Sequence, residues 1–285
     1  MSTHTTSSPV APSLKQVRLA LNTLWPEDSA EEWDRVGLVS GDPSSKIEKI
    51  LLAVDAVRET VDEAVDTGVD LLLTHHPLLL RGVTSVAEDR YKGSLLADLI
   101  RAGCALMTAH TNADIPREGV SDRIAQLIGL IETRALVPSS HPRAEEGTGI
   151  GRVGNLEHPT TLGQFAQHVA QVLPPTASGV RVSGDYNRPI NRVALCGGAG
   201  DGLLSHSEVL ASDVYLTSDL RHHPASEFRE QALCSGGPAL IDVSHWAGEW
   251  LWLDGAAERI RELLPSVEVV VSELRTDVWD FSITQ

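Results

Sequence analysis

This chain of 285 residues has no long apolar run: 42% of it is hydrophobic, yet no stretch reaches the length needed to cross a bilayer. That excludes a membrane-spanning helix. Cationic residues are scarce, with 23 Lys and Arg against 39 Asp and Glu, giving a formal net charge of -16 and a sequence pI near 5.0. Such a balance argues against nucleic acid or an anionic membrane as a partner. An anionic small molecule stays possible, because bound metal ions reverse the local sign. Cysteine is rare too. Cys104, Cys196 and Cys234 are odd in number and show no CxxC spacing, which excludes a disulfide framework and fits reduced thiols in the cytoplasm. Residues 1–12 are rich in Ser, Thr and Pro and lack a basic start followed by an apolar stretch, so they read as a disordered tail and not as a secretory signal.

Familiar catalytic signatures are missing as well. There is no nucleophile elbow and no Cys-His catalytic pair. The Gly-rich segment Cys196-Gly197-Gly198-Ala199-Gly200-Asp201-Gly202 lacks the Lys-Ser/Thr ending of a P-loop and the full spacing of a dinucleotide fingerprint. It reads either as backbone N–H groups offered to an anion or as a tight turn packing helix on strand. Trp246, Trp250 and Trp252 read as core and subunit contact, since the acidic charge disfavours a base-stacking platform.

What the sequence does have is a βαβ rhythm. A capping box at Ser13-Leu14-Lys15-Gln16 opens a helix to about Leu24. Strand patterns at 49–53, 69–74 and 105–109 alternate with helical patterns at 57–66, 93–102 and 120–128. The rhythm resumes with strands at 191–196, 214–217, 239–243 and 267–272, and helices at 161–173, 203–210, 224–233 and 246–264. The fold class is therefore α/β, with largely parallel sheets. Pro, Gly and charge dominate 138–154. The expected organisation is a tail over 1–12, a first lobe over 13–137, an exposed crossover over 138–160 and a second lobe over 161–285.

Two histidines stand at the end of the apolar run Leu71-Leu72-Leu73-Thr74-His75-His76-Pro77. Ligands and metals collect where the strands of α/β sheets end. Three further segments end strands in the same way: His110-Thr111-Asn112-Ala113-Asp114, Ser218-Asp219-Leu220-Arg221-His222-His223-Pro224, and Ser244-His245-Trp246-Ala247-Gly248-Glu249. If a helix starts near Ser244, His245 and Glu249 at i and i+4 share one face. The repeated His-His-Pro at 75–77 and 222–224 suggests a degenerate internal duplication. Mixed imidazole and carboxylate donors suit Zn, Mn, Fe or Co, and a carboxylate can bridge two ions.

These segments, with Glu32-Trp33-Asp34-Arg35-Val36-Gly37-Leu38 and Gly149-Ile150-Gly151-Arg152-Val153-Gly154, occur in an order that resembles the dinuclear metal-centre family of GTP cyclohydrolase 1 type 2 homologues, also called Nif-three-like proteins. The resemblance runs from about Ser13 to Ser272. It implies two α/β lobes with mostly parallel sheets, facing each other across a cleft that holds two divalent metal ions per chain. The implied ligands are His75, His76, Asp114, His245 and Glu249, with Glu249 as the bridge. His223 is implied as a general acid/base or substrate contact, and His110 is the alternative proton carrier. A ring-like homohexamer and a compact form without a mid-chain insertion are also implied. One departure stands out: Ser218 occupies the place where the family's Thr-Gly-Asp pattern expects glycine.

Two functional readings follow from that resemblance. One is a metal-dependent hydrolase acting on a small molecule, either opening the imidazole ring of GTP with release of formate or cleaving a nucleotide or other phosphoester. The other is a non-catalytic metal-binding protein, a storage or insertion factor or a regulatory adaptor. Ions saturated by protein ligands mark a structural site, whereas open positions mark a catalytic one.

Overall fold

Ser13 caps the first helix in two directions: its Oγ accepts from Gln16 N at 3.3 Å and its own N donates to Gln16 Oε1 at 2.8 Å. This satisfies amides that the first turn leaves without helical partners. The computed structural model describes residues 11–142 and 144–283. Most of the expected tail, residues 1–10, lies outside the described residues. Pro12 is already tied down, its carbonyl accepting from Ile47 N at 2.9 Å.

Within the described residues the chain divides into two compact units, residues 11–110 with 256–274 and residues 111–255 with 275–283. These boundaries differ from a division at 137 and 161. The first unit runs α1 (Leu14–Leu24), β1 (Gly37–Ser40), β2 (Lys49–Ala53), α2 (Arg58–Asp66), β3 (Leu71–Thr74), α3 (Tyr91–Ala102) and β4 (Ala105–Thr108). The second runs α4 (Thr111–Asp114), α5 (Val120–Leu127), β5 (Leu130–Pro138), β6 (Gly149–Thr161), α6 (Leu162–Val172), β7 (Arg181–Ser183), β8 (Pro189–Ala199), α7 (Ser207–Leu210), β9 (Val214–Ser218), α8 (His222–Ser235), β10 (Ala239–Val243) and the start of α9 (His245–Leu263). The end of α9 and β11 (Glu268–Val271) belong to the first unit.

In the first unit the sheet order is β1-β4-β3-β2-β11, parallel except for β1. Its central strands β2, β3 and β4 are buried on both sides, as apolar parallel strands require. Leu51, Leu72 and Leu106 pack against Val61 and Ala64 of α2 and Leu95, Leu96 and Leu99 of α3. The alternate residues Ile50, Leu52, Leu71, Leu73 and Met107 are buried as well. β11 closes the sheet by pairing Val269–Val271 with Ile50–Leu52. That long-range pairing assigns the chain's late residues to the early unit, and no local pattern announces it.

In the second unit the order is β5-β6-β8-β9-β10-β7. Only β8-β9-β10 run parallel; the outer pairings are antiparallel, so this sheet is mixed. The expected exposed crossover over 138–160 is corrected here, since residues 149–160 lie in β6, paired on both sides within the sheet. Its Gly and Arg content resembles a loop, but both have structural work. Gly151 sits at φ +64, and a Cβ there would lie 2.7 Å from Leu195 O. The Arg152 side chain is 1% exposed. Its Nε and one terminal nitrogen bind Asp122 at 2.5 and 2.7 Å, and the remaining donors reach Gly149 O, Gly151 O and Pro116 O. A buried guanidinium is tolerable because every direction of its fork is satisfied. Below it, Leu136, Val153, Ala194, Tyr215 and Leu240 pack with Leu204, Val209 and Phe228.

Candidate functional site

In the first unit three imidazoles converge. His75 and His76 continue the ladder beyond β3, their amides donating to Ala53 O at 3.0 Å and Val54 O at 2.8 Å. His110 stands two residues beyond β4. The ring centroids of His75, His76 and His110 lie 5.2–5.6 Å apart, and one ligand atom from each lies within 4.8 Å of the others. Parallel strands cause this: adjacent strands end together, so residues just past their C-termini meet.

Each ring is oriented through Nδ1. His75 Nδ1 lies 2.8 Å from Ala109 O, a carbonyl, so it carries the proton and leaves a lone pair on Nε2. His76 Nδ1 lies 2.7 Å from Asp55 Oδ1, and His110 Nδ1 lies 2.8 Å from Asp34 Oδ1. The Asp34 side chain is fully buried. Carboxylate or carbonyl behind a histidine is the arrangement that fixes tautomer and ring direction for metal ligation.

The second unit builds a different group. Ser244 caps α9, its Oγ accepting from Ala247 N at 3.2 Å. His245 and Glu249 then share one face, with His245 Nε2 2.9 Å from Glu249 Oε1. Again Nδ1 is held by a carboxylate, Asp219 Oδ2 at 2.8 Å. Asp219 reaches it from a left-handed backbone, φ +56. Asp is one of the few side chains that adopt this region readily. Ser218, one residue earlier, is the last residue of β9 and needs no glycine conformation. The departure from Thr-Gly-Asp is therefore absorbed by ordinary strand backbone.

Gly198, by contrast, must be glycine. Its φ is +70, and a Cβ there would lie 2.6 Å from Glu249 Oε1 and 3.4 Å from His245 Nε2. The Gly-rich segment thus makes room for the donor pair. It ends β8 rather than preceding a full helix, with a short 3-10 turn at Asp201–Leu203 after it. Cys196 lies beneath, buried. Burial and the charges of Asp114 and Glu249 push its thiol up to about 12, so it stays protonated and is no nucleophile.

Asp114 ends the four-residue α4 and is half-buried. The Arg152–Asp122 lock grips Pro116 O just beyond it, which fixes this stretch against β6. His223 sits in the first turn of α8, exposed, its ring 5.2 Å from that of His222. The second His-His-Pro therefore does not stand at a strand end as the first does. It starts a helix, and Pro224 is tolerated in that first turn. Sequence reading missed Asp34, Asp55 and Asp219 as orienting carboxylates. The available signal was position: Asp55 and Asp219 each lie within two residues of a strand's end.

Metal fit follows from these donors. Imidazole nitrogens turned by carboxylates and a carbonyl, with a carboxylate one helical turn from a histidine, form groups that can hold a divalent ion. Among the described residues no helix is long and apolar enough to cross a membrane.

Comparisons with known proteins give the family. A Streptomyces coelicolor protein named GTP cyclohydrolase 1 type 2 homolog is 46% identical, over 94% of each chain. One of the same name from Clostridium perfringens is 32% identical, covering 90% of this chain and 94% of its own. Among solved structures, Staphylococcus aureus protein SA1388 superposes at TM-score 0.84 with 25% identity, over 95% of this chain and 99% of that one. Reduced HcgD from Methanocaldococcus jannaschii does so at 0.76 with 26% identity, over 93% and 99%. The family Duf34/NIF3 (NGG1p interacting factor 3) matches residues 12–278, and the chain belongs to it.

Proposed function

We propose that this protein is a divalent-metal-dependent hydrolase acting on a purine nucleotide or a related phosphoester. The observation that supports it best is the shared orientation of four histidines, each with Nδ1 on a carboxylate or carbonyl, the arrangement that sets the ring direction of a metal-binding imidazole. The proposed ligands are His75, His76, Asp114, His245 and Glu249, for two ions of the Zn, Mn, Fe or Co type, with Glu249 as the bridge. When bound, such ions supply Lewis acidity and a water that ionises near neutral pH. His110, oriented by buried Asp34, and His223 are the proposed proton carriers. The name shared by the relatives points to GTP as the first substrate to try, with formate as the product. A cytoplasmic homohexamer is the proposed setting.

The test is metal content per chain on protein purified without chelator, paired with formate release from GTP. About two ions per chain with metal-dependent formate release support the reading. Two ions without turnover of GTP or phosphoesters favour a storage, insertion or adaptor role. His75→Ala and Glu249→Ala should lose bound metal while keeping the far-ultraviolet circular dichroism of the parent. Full metal occupancy in either variant would overturn the ligand assignment.

A further inference from the structure

Beside the histidine group of the first unit stands an indole that folding has left in water. Trp33 is 56% exposed. Its ring centroid lies 5.8 Å from that of His110, with the planes at 83°, so one edge-to-face contact holds it against the group. The next residue, Asp34, is fully buried at its side chain and binds His110 Nδ1. Asp34 N donates to Glu31 O at 2.9 Å, and Arg35 N donates to Asp34 Oδ1 at 2.7 Å, which fixes the turn. The indole is therefore exposed on a rigid support. Arg35 is exposed on the same turn, its guanidinium donating to the carbonyls of Glu32 and Asp34. Aromatic face, cation and metal-type imidazoles thus occupy one short stretch of surface.

We infer that Trp33 is a stacking platform for the planar ring of the substrate, with Arg35 placed to meet its anionic tail. Resting on the hydrolase reading above, this narrows the substrate class to a planar heteroaromatic ring carrying a phosphate. Every such ring has a π-face, so the platform selects for the presence of a ring and not for which base it is. Trp33 would act as a specificity-determining residue with no part in the bond-breaking step.

Calorimetry on the metal-loaded full chain tests this, with GTP, ATP and the ring-free tripolyphosphate as probes. The parent should bind GTP and ATP more tightly than tripolyphosphate. Trp33→Ala should weaken both nucleotides about 10–100-fold and leave tripolyphosphate and metal content unchanged. Trp33→Phe should retain most of the affinity. Unchanged nucleotide binding in Trp33→Ala overturns the platform, as does a parent with no preference for nucleotides over tripolyphosphate. Loss of metal in Trp33→Ala would make the indole a clamp on His110 and also overturn it. Ring-dependent binding without formate release or phosphoester cleavage would instead sink the hydrolase reading and keep the platform.

Discussion

The two units solve one problem with different chemistry. Each contains three consecutive parallel strands, β2-β3-β4 in the first and β8-β9-β10 in the second. In each, the segments after the second and third strands carry candidate donors or the group that orients them: His75-His76 and His110 in the first, Asp219 and His245 in the second. The first unit gathers imidazoles, with Asp34 and Asp55 set behind His110 and His76. The second brings a carboxylate, Glu249, into the ligand position itself and needs Gly198 to admit it. Shared topology therefore fixes where donors emerge, and local residues fix their charge. The second His-His-Pro shows the limit of a duplication: it starts α8 instead of ending a strand.

Breaking the frame of one unit should have the largest effect. Arg152→Met leaves half-buried Asp122 with Glu118 N and takes a donor from the carbonyls of Gly149, Gly151 and Pro116, and about 2–4 kcal/mol of stability should be lost. Urea titration followed by circular dichroism checks this. A change under about 1 kcal/mol would show that Arg152 is not the lock. Next comes Gly198→Ala, where left-handed backbone strain of about 1–2 kcal/mol adds to a collision with Glu249. Bound metal should fall well below that of the parent while the fold persists, as judged by elemental analysis beside circular dichroism.

A pair of matched substitutions sharpens the contrast. Asp55→Asn and Asp219→Asn each remove a carboxylate behind a histidine. Each should weaken metal binding, by about 10–100-fold where the partner is shielded from solvent. Asp55, with a side chain 22% exposed, should matter more than Asp219 at 58%. Competition with a chromogenic chelator measures both, and equal effects would remove burial as the cause.

The smallest effect concerns the thiols, one buried in each unit. Burial holds Cys104 at about 11 and Cys196 at about 12, against 9.0 for an ordinary thiol. Their folded values are raised, so their contribution is intact below about 9 and declines as pH climbs from there through those folded values. Cys196→Ala should flatten the fall in stability over that alkaline range. Iodoacetamide at neutral pH should label exposed Cys234 first, with Cys104 and Cys196 following only on unfolding.

Much of this was legible in the sequence because it is local. The capping box at Ser13, the apolar strands at 49–53 and 239–243, and the i,i+4 spacing of His245 and Glu249 depend on neighbouring residues alone. β6 was hidden because its strand positions carry Gly and Arg, whose roles appear only when Asp122 and Leu195 are in place. β7 and β1 were hidden because they lack the fully buried apolar run that marks the equally short β3 and β4.

Sequence by itself determined the α/β class, the family and the residue types of the donor set, since hydrophobic period and motif order are written along the chain. Tertiary structure alone decided which strand closes each sheet, why Arg152 can be buried, and which carboxylate stands behind each histidine. Those outcomes rest on contacts between residues far apart in the chain, such as Asp34 with His110 and Val270 with Leu51. No local pattern encodes such pairs, because the free energy that selects them comes from burial and hydrogen bonding in the folded chain.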